Sequence, residues 1–173
     1  MDGMRCFLSE ENLTIHKREV DRERARLSIY EKSLPETVGK DIRRVRGMRI
    51  DPDYKEKILR LKRYIMLHDA YFSSFSDKPV PLRTLKRYYP SRDSFIFECR
   101  ERMLCERCGF LCFYKTQSAP KIIIQDEFSV TLFEPPTLAI EISEHAYFLD
   151  YAFERDRYFT ASLERLRFDI LFD

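Results

Sequence analysis

The sequence predicts an α+β fold, with charged helices at the N-terminal end followed by a mainly antiparallel β body. Two patterns carry that prediction. The front of the chain repeats its apolar residues at helical spacing, and beyond Pro90 come short runs rich in β-branched and aromatic residues, separated by turn-forming stretches. At 173 residues the chain is long enough for one hydrophobic core plus an extended arm. The expected division is a charged helical arm and basic connector over 1–45, then a single globular domain over 46–173.

From Ser9 to about Leu34 the chain has no Gly and one seam of Leu13, Val20, Leu27 and Leu34 at seven-residue spacing. A helix this polar buries little on its own protein, so it is expected to project as an arm or lie on a partner, or else to be a partly disordered, solvated helix. A basic connector follows Pro35. Asp51-Pro52 then forms a helix start, with Asp as N-cap and Pro at the first helical position. Tyr54, Ile58, Leu61, Ile65 and Phe72 continue at helical spacing. LRTLKRYY reads as a short helix opened by Pro81. The runs SFIFEC, GFLCFYK, KIIIQ, FSVTLF, TLAIEI and AYFLDYAF read as antiparallel strands. The tail SLERLRFDILFD fits a last strand or a helix.

The net charge of +2 conceals a division along the chain. Residues 1–90 carry 21 Lys and Arg against 14 Asp and Glu, and residues 91–173 carry 10 against 15. Such a basic front favours an acidic partner, nucleic acid above all. The expected RNA contacts are Arg43, Arg44, Arg46 and Arg49 in the connector, Lys55, Lys57, Arg60, Lys62 and Arg63 on the second helix, and Arg83, Lys86 and Arg87 beside Tyr88 and Tyr89. No run approaches the length of a membrane span and no leader precedes the first helix, so a cytoplasmic protein is expected. Phosphate-cradling glycine loops are absent, and the paired carboxylates fall in polar turns that nominate no general acid and base.

Four of the five cysteines, Cys99, Cys105, Cys108 and Cys112, lie in FECRERMLCERCGFLC. Cys105-Glu-Arg-Cys108-Gly109 has the form of half a tetrahedral zinc site, because Gly109 permits the left-handed backbone of a metal knuckle. Packed thiols and a thiol-based redox centre are the alternatives. The three histidines, His16, His68 and His145, read as surface or capping residues, with His145 kept as a spare metal ligand.

Arg87-Tyr88, the phenylalanines of SFIFEC, Cys99-Arg100-Glu101-Arg102 ahead of Cys105, Phe133-Glu134-Pro135 and Tyr147-Phe148 occur in an order that resembles an uncharacterised, widespread eukaryotic family. Compact microsporidian ribosome dormancy, or hibernation, factors look like its members. The resemblance implies a non-enzymatic protein that occludes the tRNA exit site and mRNA path of inactive ribosomes. It would contact rRNA and ribosomal proteins of both subunits, take no small-molecule substrate and not homo-oligomerise. A zinc-stabilised RNA or protein interaction module is the second expectation, and a cytosolic thiol oxidoreductase the third.

Overall fold

The computed structural model describes residues 2–33, 52–78, 88–117, 120–129 and 134–171. The α+β class holds: helices lead, and a three-stranded antiparallel sheet follows. After a 3-10 turn at Asp2–Cys6 come α1 (Glu10–Lys32), α2 (Pro52–Ser73) and α3 (Arg92–Leu104). Strands β1 (Phe110–Tyr114), β2 (Lys121–Gln125) and β3 (Leu138–Glu141) are arranged β2-β1-β3. Two short helices, α4 (Phe148–Tyr151) and α5 (Arg155–Arg165), complete the described chain with a 3-10 turn at Phe168–Leu171.

Helix α1 starts where Ser9 accepts the backbone N–H of Asn12 at 3.2 Å, and Glu10 and Glu11 complement the helix dipole in its first turn. It is packed on α2 rather than extended as an arm, burying Asn12, Leu13, His16 and Val20. The apolar seam alone understates this face, because Asn12 and His16 are buried by polar bonds and ring contacts. Asn12 donates to the Ala146 carbonyl at 3.1 Å and to Asp150 at 2.9 Å. The expected domain boundary, the Asp51 cap and the Pro81 helix lie outside the described residues.

Two expected strands are helical. SFIFEC belongs to α3, where Ser91 and Ser94 form a reciprocal capping box. Phe95, Cys99 and Met103 then recur every four residues on the buried face, while Phe97 points out at 57% exposure. The helical period therefore outweighs the aromatic content of the run. AYFLDYAF becomes a turn and α4, with Tyr151 donating to the Phe7 carbonyl at 2.6 Å. FSVTLF falls mostly outside the described residues, and its Phe128 lies in a turn.

Strand β1 is central, with Phe110 opposite Gln125 on β2 and Glu141 on β3. Gly109 enters it at φ +102°, and a Cβ there would lie 2.5 Å from the Gln125 carbonyl oxygen. Its left-handed backbone serves the sheet edge, since its carbonyl accepts from Ile142 at 2.8 Å. The core lies between this sheet, α2, α3 and α5, and Phe75 bridges to Leu166 to close α2 against the C-terminal segment.

Candidate metal centre

All three histidines of the chain converge on one carboxylate. His16 comes from α1, His68 from α2, Glu141 from the end of β3, and His145 from the 3-10 turn Glu144–Ala146. Their ligand atoms all lie within 4.8 Å of one another. His16 Nε2 is 3.0 Å from Glu141 Oε2, His68 Nε2 is 3.6 Å from the same oxygen, and His145 Nε2 is 2.5 Å from Oε1. Metal–ligand bonds of about 2.0–2.2 Å set neighbouring ligand atoms roughly 3 to 4 Å apart, so the 3.0 and 3.6 Å spacings suit a single ion, and His145 at hydrogen-bond distance from Glu141 would move outward by under about 1 Å to admit it.

The local sequence explains the convergence. His16 sits one turn from both Leu13 and Val20 on the buried face of α1, and His68 lies between Ile65 and Phe72 on the apolar stripe of α2. Glu141 ends a strand buried along its length. His16 and His68 are almost fully buried, Glu141 completely so, and the His145 side chain is 39% exposed, at the solvent edge. The His16 ring packs edge-on against His68, Phe72 and His145, with centroids 5.1 to 5.2 Å apart.

The donor set fits a cation. The Nδ1–H of His68 donates to the Tyr64 carbonyl at 2.8 Å, which fixes the tautomer and leaves Nε2 as a lone pair facing Glu141. Two acceptors at 3.6 Å repel unless positive charge lies between them. His68 Nε2 is buried with no hydrogen-bond partner among the described residues, while His16 and His145 face the Glu141 oxygens at 3.0 and 2.5 Å, distances at which a ring N–H donates to the carboxylate when no metal is bound. A buried polar atom left unpaired is costly, and a coordinated metal would satisfy His68 Nε2 while taking the place of the protons on His16 and His145.

Protonation follows the same geometry. Burial pushes His68 down to about 4, an effect that the Glu141 charge only partly offsets. Burial alone would raise Glu141, but the neighbouring His16, His68 and His145 hold its carboxyl well below the ordinary range. Burial lowers His145, yet the hydrogen bond and charge of Glu141 carry it up to about 9. At neutral pH the centre thus holds an ionised carboxylate and a neutral His68, and His145 must give up its proton to a metal.

Neighbouring contacts hold the ligands in place. Tyr158 donates to the Glu141 carbonyl at 3.1 Å and lies 3.0 Å from the Tyr71 hydroxyl, both rings being fully buried. Asp150 accepts from the backbone N–H of Ser9 and from Asn12, at 2.9 Å each. The start of α1 is thereby tied to the segment that carries His145.

The residues expected from sequence fall elsewhere. Cys99 and Cys112 are buried, and burial raises both thiols well above their ordinary range, whereas Cys105 and Cys108 are exposed. The four sulfurs form no common ligand set among the described residues. Lys57 pairs with Asp53 at 2.6 Å, Arg60 with Glu56 at 2.5 Å and Lys62 with Glu31 at 2.7 Å, while Lys55 is exposed. Arg63 is only 1% exposed, donating to the Asp126 carbonyl at 2.6 Å and to the Gln125 side chain. Arg43, Arg44, Arg46, Arg49, Arg83, Lys86 and Arg87 lie outside the described residues.

Sequence pattern does not nominate His16, His68 or Glu141 as ligands. The available signal is a histidine on the apolar face of each of two helices, and a carboxylate inside a buried strand.

Residues 82–171, just over half of the chain, match the iron/manganese superoxide dismutases, C-terminal domain. No curated protein matches the chain. The matched segment supplies Glu141 and His145, and the preceding residues bring His16 and His68 to them. This match overturns the resemblance to ribosome dormancy factors, and with it the expected non-enzymatic translation inhibitor bound to rRNA and ribosomal proteins. It equally displaces the alternatives of a nucleic-acid interaction module and a thiol oxidoreductase, and the expectation that there is no small-molecule substrate.

Proposed function

We infer that this chain, which belongs to the iron/manganese superoxide dismutase family, is a metal-dependent oxidoreductase that converts two superoxide ions and two protons to dioxygen and hydrogen peroxide. The observation that carries this reading is the convergence of His16, His68 and His145 on the buried carboxylate of Glu141, with His68 Nε2 left unpaired. Bound iron or manganese supplies the one-electron couple that takes an electron from one superoxide and returns it to the next. Zinc, the ion first expected at the cysteines, is redox-inert and does not serve this chemistry.

The protein's own part is binding, exclusion of water and control of charge. Three neutral imidazoles and one carboxylate leave the loaded centre positively charged, which attracts an anionic substrate. Burial of His16, His68 and Glu141 strengthens that attraction, and His145 marks the solvent edge. The bond from His68 to the Tyr64 carbonyl keeps its Nε2 basic and oriented.

The test is stopped-flow decay of superoxide by protein loaded with iron or with manganese. One metal-loaded form is expected to accelerate the decay catalytically, and Glu141→Gln is expected to abolish it. Decay no faster than with the same amount of free ion would contradict the reading.

A further inference from the structure

Between α1 and α2 opens a cleft of about 430 Å³ whose lining includes Tyr64, Glu127 and Phe128. Glu127 follows β2 at the turn and is only 5% exposed. Its Oε1 accepts the Ser143 hydroxyl at 3.5 Å, and Ser143 Oγ in turn accepts the Gly109 N–H at 3.2 Å. Its Oε2 is buried with no hydrogen-bond partner among the described residues. This carboxyl lines the cleft, and through Ser143 it is tied to the segment between Glu141 and His145. Tyr64 beside it sets its ring against His68 at a 36° tilt with centroids 3.9 Å apart, and Glu127 feels the charges of both Glu141 and His145.

We propose that Glu127 is the proton-holding residue of the centre, taking a proton from solvent through this cleft and giving it to the reduced oxygen product. The inference rests on the superoxide dismutase reading. Reduction of superoxide to hydrogen peroxide takes one electron, from the reduced metal, and two protons, one from Glu127 and one from solvent. The carboxylate left behind is reprotonated through the cleft when the next superoxide reduces the metal and leaves as dioxygen. Each cycle then returns Glu127 to its starting state.

The surroundings favour this role. Burial, and then the negative charge of Glu141, carry the Glu127 carboxyl up to about 7, against smaller opposing effects of His145 and Ser143, and Asp126 pushes the same way as Glu141. Across the cleft α1 presents Glu19, Arg22, Glu23 and Arg26, and α2 presents Arg60 and Tyr64. Arg26 is paired with Glu23 at 2.9 Å and Arg60 with Glu56, so the rim is nearly balanced and does not strip the inner carboxyl of its proton. A positive charge added at the metal favours the carboxylate and its loss favours the acid, so proton uptake by Glu127 accompanies metal reduction.

The test is the pH dependence of the midpoint potential of iron-loaded protein, wild type against Glu127→Gln, with bound iron confirmed in both. Wild type is expected to fall by up to about 59 mV per pH unit near neutrality, tenfold in the equilibrium constant for each tenfold change in proton concentration. Glu127→Gln is expected to lose that slope, and an unchanged slope would overturn the assignment. Carbon-13 carboxyl titration of the metal-free wild type tests the same point without a substitution. One glutamate midpoint near 7 is expected, and all glutamates titrating below about pH 5.5 would overturn the proposal. A wild-type protein that takes up neither iron nor manganese fails the functional reading instead, and the carboxyl titration still decides whether Glu127 holds a proton near neutrality.

Discussion

Replacing Tyr158 by Phe removes one oxygen from the interior and leaves the ring in place. That oxygen donates to the Glu141 carbonyl at 3.1 Å and accepts from Tyr71 at 3.0 Å, since its single hydrogen is used on Glu141. Each bond contributes about 1 kcal/mol net, and the Tyr71 hydroxyl, fully buried, is left without its acceptor at a further cost of about 1–2 kcal/mol. The single variant should therefore lose about 3–4 kcal/mol in urea unfolding of the metal-free protein. Tyr71→Phe leaves the bond to Glu141 intact and should lose about 1 kcal/mol. The double variant has no orphaned hydroxyl, so its loss should be about 2 kcal/mol, below the sum of the two. Because the bond also orients a ligand residue, manganese affinity of Tyr158→Phe should drop about 10- to 100-fold by calorimetry. A single variant within about 0.5 kcal/mol of wild type, or strict additivity, would refute the reasoning.

Three further outcomes follow from the same structure. In metal-free protein, His68 lowered to about 4 loses stability as pH falls below its ordinary 6.5, while Glu127 raised to about 7 gains it as pH falls from 7 toward its ordinary 4.5. The two nearly cancel, so stability should be level from about pH 4.5 to 6.5. It should fall below that window, where Glu141 must take a proton its neighbours disfavour. Above the window it should fall as His145 is deprotonated through about 9, and denaturant midpoints measured across pH test this shape. Arg63→Lys should cost about 1.5–3 kcal/mol in urea unfolding, because an ammonium does not reproduce the guanidinium's simultaneous bonds to Asp126 and Gln125. Alkylation near neutral pH should modify Cys105 and Cys108 and spare Cys99 and Cys112 until the protein unfolds, as peptide mapping would show.

Much of the fold is legible in local pattern. Strand β2, KIIIQ, and the helix opened by Pro52 are set by β-branched content and by apolar spacing, and both form. SFIFEC reads as a strand because three aromatic and aliphatic residues in a row satisfy a strand as well as a helix. Only the spacing onward to Met103 and the Ser91–Ser94 box separate the two. The metal centre is least legible because its ligands come from four elements, and only Glu141 and His145, four residues apart, are close in sequence. His16 and Glu141 are 125 positions apart, and the sheet register and the packing of α1 on α2 bring them to 3.0 Å. The cysteines, close in sequence, are parted by the same packing. Helix α3 buries Cys99 and strand β1 buries Cys112, while the turn between exposes Cys105 and Cys108.

Anomalous diffraction at the iron or manganese edge, from crystals of protein loaded with that metal, tests the central claim most directly. One peak is expected at about 2.0–2.2 Å from the Nε2 atoms of His16, His68 and His145 and from the Glu141 carboxylate. A peak at Cys105 and Cys108, or a loaded crystal with none among these four residues, would contradict the account.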